Sequence, residues 1–537
     1  MMTLSDLLAH LNALGIGTKL VKGSQEEVIT GITTDSRTVK KGELFVAIKG
    51  THTDGHLFVP DATRNGATAV MVERSWLEAE IRNPSFLSSG PNPAVITVED
   101  THKAVAFAAS AFYGFPTEKL HLTGVTGTNG KTTTTILIEA IYRQAGFEVG
   151  RIGTIGYCWK KHLIQAPLTT PDPIMLQRLF AEMVTDGVDH VVMEVSSHAL
   201  SQKRIFGCFY DVAVFTNLSH DHLDFHKTME SYFEAKSLLF LEHLGRRSKS
   251  SNIVTTSPSG CAVINIDDPY GAQLSKMLEG RDIKILTYGI SNPAKIAPLK
   301  YKCCPDGSFV SIKTPVGEVS IDSRLLGRLN VYNILAAVGA GIAHGIDLDV
   351  IAAGISSVSG VDGRLQKVPI DAPFHVIVDY AHTPDAMEKA LSCIREWAPG
   401  RIITVFGCGG DRDPTKRPLM AKVATDYSDV VIVTSDNPRT EDPQKIIEDI
   451  LAGIPPDWVR NSLIDEDLKL PKKIFSVVID RRTAIKKAIQ IARDGDVVFI
   501  GGKGHETYQI IGRERIPFDD RCVAKECYSE LKKACER

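Results

Sequence analysis

The run Thr126-Gly127-Thr128-Asn129-Gly130-Lys131-Thr132-Thr133 carries the sharpest chemical signal in the chain. It follows a short apolar run and precedes a pattern that predicts a helix over 134–145. Glycines let the backbone turn tightly and aim N–H groups inward, and a following helix N-terminus adds positive potential for an anion. Lys131 can reach the β- and γ-phosphates of a nucleotide, and the Thr132 hydroxyl can ligate Mg²⁺. Val125 stands where the strict pattern wants glycine, so the loop is a variant. The plainer reading is a glycine-rich turn with an exposed lysine. Kinases, GTPases, ATPases and ligases all use such loops, so the loop alone does not name a reaction.

Three further features bear on the same chemistry. The run Val191-Val192-Met193-Glu194-Val195 predicts a strand with a carboxylate at its C-terminal end, the edge where open α/β sheets bind ligands. Glu194 there is either a Mg²⁺ ligand or a surface strand-end residue. His220-Asp221-His222-Leu223-Asp224-Phe225-His226 places three histidines and two aspartates within seven residues, which suits cation or phosphate chemistry. Lys236 falls within an apolar stripe of Tyr232, Phe233, Leu239 and Phe240. Two readings stay open for it. Snorkelling to solvent is the commoner fate of such a lysine. Burial would instead favour the neutral amine, which can add CO₂ to form a carbamate, a bidentate anion able to organise Mg²⁺.

Positioning these groups needs several domains. At roughly 150 residues each, 537 residues predict three or four. Residues 1–114 show short apolar runs at 44–48, 69–72 and 94–98 separated by turn signals, and read as a small N-terminal α/β domain. Its first residues carry Leu4, Leu7, Leu8, Leu11 and Leu14 at helical spacing, an amphipathic helix rather than a signal peptide. Residues 115–357 alternate strands (190–195, 211–216, 262–265) with helices, the pattern of a central domain with a mostly parallel sheet. Residues 299–325 read as a small antiparallel appendage. Residues 358–537 repeat the alternation, with runs at 374–378, 402–406, 429–434, 475–479 and 497–500, and predict a Rossmann-like C-terminal domain. The polar stretch 455–473 reads as a surface insertion.

Composition narrows the class. A formal net charge of −3 lacks the basic surplus of a nucleic-acid binder. Hydrophobic residues at 43% and charged residues at 23% exclude a disordered or collagen-like chain. No run of 18 apolar residues predicts a membrane span; the best candidate, 331–346, holds Asn333, three glycines and His344. Ten scattered cysteines without a C-x-x-C pair read as reduced thiols of a cytoplasmic protein.

The phosphate loop, Glu194-Val195-Ser196-Ser197-His198, Asp221-His222-Leu223-Asp224 and the Lys236 helix together resemble the Mur ligase family of ATP-dependent amino-acid ligases. Asn330-Val331-Tyr332-Asn333, Gly363-Arg364 and Asp379-Tyr380-Ala381-His382-Thr383-Pro384 extend the resemblance in order along essentially the whole chain. Thr33-Thr34-Asp35-Ser36-Arg37 and the segment 42–47 resemble the members that bind UDP-muramoyl substrates. Ser435-Asp436-Asn437-Pro438-Arg439 resembles the signature of members that add meso-2,6-diaminopimelate, and lysine-adding relatives usually lack the arginine. The chemistry agrees with that choice. Diaminopimelate carries a second carboxylate that lysine lacks, and a guanidinium pairs with a carboxylate bidentately. Offered lysine, the same arginine would face an ammonium group. Taken singly, Asn437-Pro438 is also an ordinary turn dipeptide and Gly502-Lys503-Gly504-His505 a glycine turn.

The resemblance implies three domains: uridine-binding, ATPase of the phosphate-loop type, and Rossmann-like amino-acid-binding. It implies a cytoplasmic, monomeric ligase with no nucleic-acid partner. Its substrates would be ATP, UDP-N-acetylmuramoyl-L-alanyl-D-glutamate and meso-2,6-diaminopimelate, with Mg²⁺ as cofactor. Carried over by position, Gly127, Thr128, Asn129, Gly130, Lys131, Thr132, Thr133, Asn333, Arg364 and Asp379 would hold ATP. Thr132, Glu194, His222 and carbamylated Lys236 would hold or organise Mg²⁺, with His220 a competing ligand. Lys131, Glu194, His222 and Lys236 would serve catalysis. Thr34, Ser36, Thr51, His52, Thr53, Thr169, Thr170, Ser196, Gln202 and Arg204 would contact the UDP-muramoyl-dipeptide. Arg412, Asp436, Asn437, Pro438, Arg439, Gly502 and Glu506 would contact diaminopimelate. The implied reaction is phosphorylation of the D-glutamyl carboxylate to an acyl phosphate and attack by the amine, with domain closure excluding water. Addition of L-lysine, a folylpolyglutamate synthase-like ligase, or a nucleotide-binding switch without turnover are the competing expectations.

Overall fold

The computed structural model describes residues 2–50, 53–80, 93–245, 260–461 and 473–535. They form two compact units: Met1–Gly127, Ala145–Leu218 and His222–Thr287 make the first, and Thr128–Gln144, Ser219–Asp221 and Tyr288–Arg537 the second.

The first unit opens with the helix Leu4–Ala13. Thr3 and Asp6 form a reciprocal capping box that satisfies its first N–H groups, and Leu4, Leu7, Leu8 and Leu11 are buried. A five-stranded sheet follows, ordered Lys19–Lys22, Ala94–Val98, Ala69–Glu73, Glu43–Val46, Gly31–Thr33. Only the edge strand Lys19–Lys22 runs antiparallel. The Phe115-Pro116 step is a 3₁₀ turn, Pro116–Lys119, entered through left-handed Phe115.

The second sheet of this unit has eight strands, ordered His162–Ile164, Gly156–Trp159, Val149–Gly153, His190–Glu194, His121–Thr126, Val212–Phe215, Cys261–Asn265, Lys284–Tyr288. The middle five are parallel, and the first three form an antiparallel meander. His121–Thr126 lies between His190–Glu194 and Val212–Phe215, so three strand ends that carry sequence motifs lie side by side. Their apolar runs are buried on both faces, as parallel strands require. Val149–Gly153 gives little sequence signal because Arg151 and two glycines interrupt it.

In the second unit, the helix after the phosphate loop is Lys131–Gln144, three residues longer at its start than the apolar pattern suggests. Gly130 at φ +86° makes the turn, and its carbonyl accepts the Thr134 N–H at 2.9 Å, so helical bonding begins within the loop. This helix packs against Gly327–Ala343 and Leu348–Ser356; a side chain at Gly354 would meet the Ile141 backbone at 2.7 Å. The antiparallel appendage is Ala297–Cys304, Gly307–Thr314 and Gly317–Ser323.

A seven-stranded sheet completes the unit: Gln366–Lys367, His375–Asp379, Val497–Gly501, Ile402–Phe406, Val430–Val433, Ile474–Val477, Val459–Arg460. All but the first are parallel. Val497–Gly501, late in the chain, inserts between His375–Asp379 and Ile402–Phe406. That insertion brings the loops after Asp379, Phe406 and Gly501 to neighbouring strand ends. Of the stretch read as an insertion, residues 462–472 lie outside the described residues. Among the described residues no helix is long and apolar enough to cross a membrane, and no disulfide joins the cysteines.

Candidate functional site

In the first unit, Gly127 ends the strand at φ +146°, where a Cβ would lie 1.9 Å from Thr216 Oγ1. Only glycine fits this approach. Lys236, on the helix Met229–Leu241, is 1% exposed and donates to the Gly127 carbonyl at 2.8 Å. The snorkelling reading is therefore overturned: Lys236 is buried, as are Tyr232, Phe233, Leu239 and Phe240 of the same stripe. Its Nζ lies 4.6 Å from the Tyr232 ring centroid.

Glu194 is fully buried, which overturns the surface reading of that residue as well. Its Oε1 accepts the Thr154 N–H at 2.8 Å and its Oε2 the Thr154 hydroxyl at 3.1 Å. Thr154 Oγ1 lies 3.1 Å from Thr169 Oγ1. Next to it, Thr170 donates to the Glu194 carbonyl at 2.8 Å and accepts the Ser196 N–H at 3.0 Å. Arg204 donates to the Thr170 carbonyl at 3.0 Å and, through Nε, to Gln202 Oε1 at 3.0 Å. Thr169, Thr170, Ser196, Gln202, Arg204 and Glu194 thus form one hydrogen-bonded cluster. Thr154 is its unforeseen member, in the turn after the weakly signalled strand Val149–Gly153.

His222 adopts a left-handed backbone at φ 54° and opens the short helix Leu223–His226. Its ring centroid lies 4.9 Å from that of His198 and 6.0 Å from that of Tyr232. His226 is buried, 2.9 Å from Ser197 Oγ. Burial, then the neighbouring His198 and Lys236, push its pKa down to about 4, so it is neutral at pH 7. His220 is exposed. Among the described residues no three His, Cys, Asp or Glu side chains make an all-protein metal centre. Mg²⁺ keeps waters and takes one or two protein oxygens together with phosphates. The Glu194 carboxylate and the Thr132 hydroxyl are donors of that hard-oxygen type.

In the N-terminal part, Ser36 is buried and its carbonyl accepts from Asn65 at 2.8 Å, whereas Thr34 and Thr53 are exposed. The Gly50 N–H donates to the Thr53 carbonyl at 3.0 Å. Thr51 and His52 lie outside the described residues.

In the second unit, Lys131 Nζ curls back to the Thr128 carbonyl at 2.8 Å. Thr132 and Thr133 are buried. Asn129 Nδ2 donates to Asp385 Oδ2 at 3.1 Å, and that oxygen also accepts from Ser219 and Lys389, each at 2.8 Å. Asn333 lies 3.3 Å from Thr134 Oγ1 and is oriented by Asn330 at 2.9 Å. Arg364 Nη2 reaches Thr132 Oγ1 at 3.5 Å and its guanidinium covers the Tyr380 ring at 4.9 Å. Asp379 accepts the N–H groups of Leu365 at 2.6 Å and Ala381 at 2.8 Å. Burial raises its pKa, with Arg364 opposing.

The other motifs meet at the ends of the C-terminal strands. Asn437 Nδ2 donates to Glu506 Oε2 at 2.9 Å. Asp436 Oδ2 lies over Gly502, where a Cβ would meet it at 2.4 Å. Arg439, at φ 52°, seats its guanidinium on Gly409-Gly410 and donates to the Gly410 carbonyl at 2.7 Å. Its backbone is held by Ile510 and Gly512. Pro438 is buried beside it, while Arg412 is exposed and bonded to the Asp411 carbonyl at 3.1 Å. Two cations not anticipated here are Lys503 and Arg481, both fully buried. Arg481 pairs with Asp520 at 2.8 and 2.7 Å and donates to the Gly501 carbonyl at 3.0 Å.

Comparison with known proteins agrees with this arrangement. The model "Mur ligase family, catalytic domain" matches residues 28–113, "Mur ligase middle domain" 125–341 and "Mur ligase, glutamate ligase domain" 363–504. The UDP-N-acetylmuramoyl-L-alanyl-D-glutamate–2,6-diaminopimelate ligase of Geobacter metallireducens is 46% identical over 99% of both chains. The ligase of the same name from Geobacillus thermodenitrificans is 44% identical, covering 98% of this chain and 100% of its own. A solved UDP-N-acetylmuramoyl-L-alanyl-D-glutamate–2,6-diaminopimelate ligase superimposes with a TM-score of 0.67 at 32% identity, covering 99% of this chain and all of the other. Three successive α/β domains, the match of all three models and identity along nearly the full length establish that the chain belongs to the Mur ligase family.

Proposed function

We propose that the chain is an ATP-dependent ligase that adds meso-2,6-diaminopimelate to the D-glutamate of UDP-N-acetylmuramoyl-L-alanyl-D-glutamate, in the cytoplasm, during synthesis of peptidoglycan precursors. The observation that carries this reading is the set Asn437, Arg439 and Glu506 on neighbouring loops of one sheet, in a chain whose full-length relatives bear that name. We place the domains at 1–114, 115–357 and 358–537, and read the protein as a monomer.

In this reading the loop N–H groups and Lys131 hold the phosphates of ATP, the co-substrate. Asn333, Arg364 and Asp379 flank the nucleotide. Thr132 and Glu194 hold Mg²⁺, with His222 and the Lys236 carbamate organising it. Bound Mg²⁺ supplies a Lewis acid that neutralises charge on the transferring phosphoryl group. Thr169, Thr170, Ser196, Gln202 and Arg204 fix the dipeptide so that its D-glutamyl carboxylate attacks the γ-phosphorus. ADP leaves and an acyl phosphate forms. The amine of diaminopimelate, held through Arg439 and Glu506, attacks the acyl carbon. Phosphate leaves, the nitrogen loses its extra proton and the amide remains.

The test is ADP release with UDP-N-acetylmuramoyl-L-alanyl-D-glutamate, Mg²⁺ and either meso-diaminopimelate or L-lysine. Turnover with diaminopimelate alone is expected. Turnover with lysine instead would keep the ligase and overturn the specificity. No turnover with either would overturn the reaction itself.

A further inference from the structure

Lys503 sits in the motif Gly501-Gly502-Lys503-Gly504-His505-Glu506 and has no role in the reaction as described. It is nevertheless fully buried at the end of the strand Val497–Gly501. An ammonium group has three donors, and three oxygens take them. Nζ lies 2.9 Å from Glu506 Oε2 and 3.2 Å from Asn437 Oδ1, and it also donates to the Tyr508 carbonyl. The Ile510 N–H donates to the same Asn437 Oδ1 at 2.9 Å.

Two consequences follow from that geometry. With Oδ1 held by two donors, the Asn437 amide has one orientation, and Nδ2 must face Glu506. Glu506 Oε2 then accepts from both Lys503 and Asn437, and among the described residues no group donates to Oε1. Lys503 is also the cation bonded directly to the Glu506 carboxylate, as Arg481 is to Asp520. Diaminopimelate, with two ammonium and two carboxylate groups, is neutral overall; lysine carries a net positive charge. Removing the Lys503 cation leaves the Glu506 carboxylate less neutralised, and a site made more negative favours the positively charged competitor.

Resting on the reading of this site as the amino-acid site, we propose that Lys503 is its positioning and specificity-determining residue. It orients Asn437 and Glu506 toward the ligand's ammonium group and supplies the positive charge that discriminates a dicarboxylic diamino acid from a monocarboxylic one.

The experiment compares the wild-type chain with Lys503→Met and Lys503→Gln, measuring kcat and KM separately for diaminopimelate, lysine, ATP and the UDP-linked dipeptide. Lys503→Met strands Glu506 without its cation, a costly change for a buried pair. Lys503→Gln keeps an amide donor, and so tests the same point in a chain that retains a hydrogen bond there. In a folded variant the KM for diaminopimelate should rise about tenfold or more while the preference over lysine falls by a similar factor, as expected for a lost charge-assisted contact. The KM values for ATP and the dipeptide should stay within about twofold, because the partners of Lys503 (Glu506, Asn437 and Tyr508) belong to the loops read as the amino-acid site. A folded variant with wild-type KM and preference for diaminopimelate overturns the proposal, and so does a parallel rise in all the KM values. Absence of wild-type turnover with diaminopimelate would instead bring down the functional reading on which it rests.

Discussion

Asn129 of the phosphate loop donates to the Asp385 carboxylate at 3.1 Å, across 256 residues of sequence. Asp385 occupies the first turn of the helix Pro384–Arg395, and its Oδ2 also binds Ser219 and Lys389. One carboxylate oxygen therefore braces the loop and the segment that follows the strand Val212–Phe215. Asp385→Ala should loosen the loop that we assign to ATP. Loss of a hydrogen bond to a charged group costs about 1.5 kcal/mol, or roughly tenfold in KM for ATP. Steady-state titration of ATP checks this, and an unchanged KM would count against a bracing role.

Lys236 is buried against the Gly127 carbonyl, a place where an amine has no access to bulk water. If its carbamate organises Mg²⁺, Lys236→Ala should lose about a hundredfold or more in kcat, as expected when a group stabilising transition-state charge is removed. Added short-chain carboxylates should restore part of the rate. Full activity of Lys236→Ala without rescue would sink the carbamate.

Arg439 stands on glycine backbone, with its guanidinium against the Gly410 carbonyl. Arg439→Lys keeps the charge but loses the planar fork. The KM for diaminopimelate is expected to rise by about tenfold to a hundredfold on that change, with the ATP value unmoved. Equal KM values for the variant and wild type would remove Arg439 from the specificity argument.

His505 packs against Tyr380, with ring centroids 5.0 Å apart, and its buried Nδ1 has no hydrogen-bond partner among the described residues. Burial, then Arg364 and Arg521, lower its pKa from 6.5 to about 4. The unfolded chain therefore binds the proton more readily than the folded one between those values. Stability linked to His505 is complete above pH 6.5 and is lost as pH falls toward about 4. Thermal melts across that window should show a falling Tm, and His505→Gln should flatten part of the slope. An identical slope in the variant would assign the acid sensitivity elsewhere.

The sequence by itself determined what is local. Glycines at fixed offsets mark the loop in which Gly127 and Gly130 take positive φ, and short apolar runs such as Ala94–Val98, buried throughout, mark strands. The order of motifs also sufficed for the family, because type and spacing are linear properties. Burial of individual polar groups was decided only by tertiary structure. Lys236 and Glu194 each left two readings open, and neighbouring strands and helices exclude the exposed one by covering both residues. Thr154, Asp385, Lys503 and Arg481 were invisible for the same reason. Their partners lie far along the chain: Thr154 meets Glu194, Asp385 meets Asn129, Lys503 meets Asn437 and Arg481 meets Asp520. Hydrophobic periodicity specifies which face of an element is buried, but which polar groups meet at the ends of strands depends on which strands are neighbours.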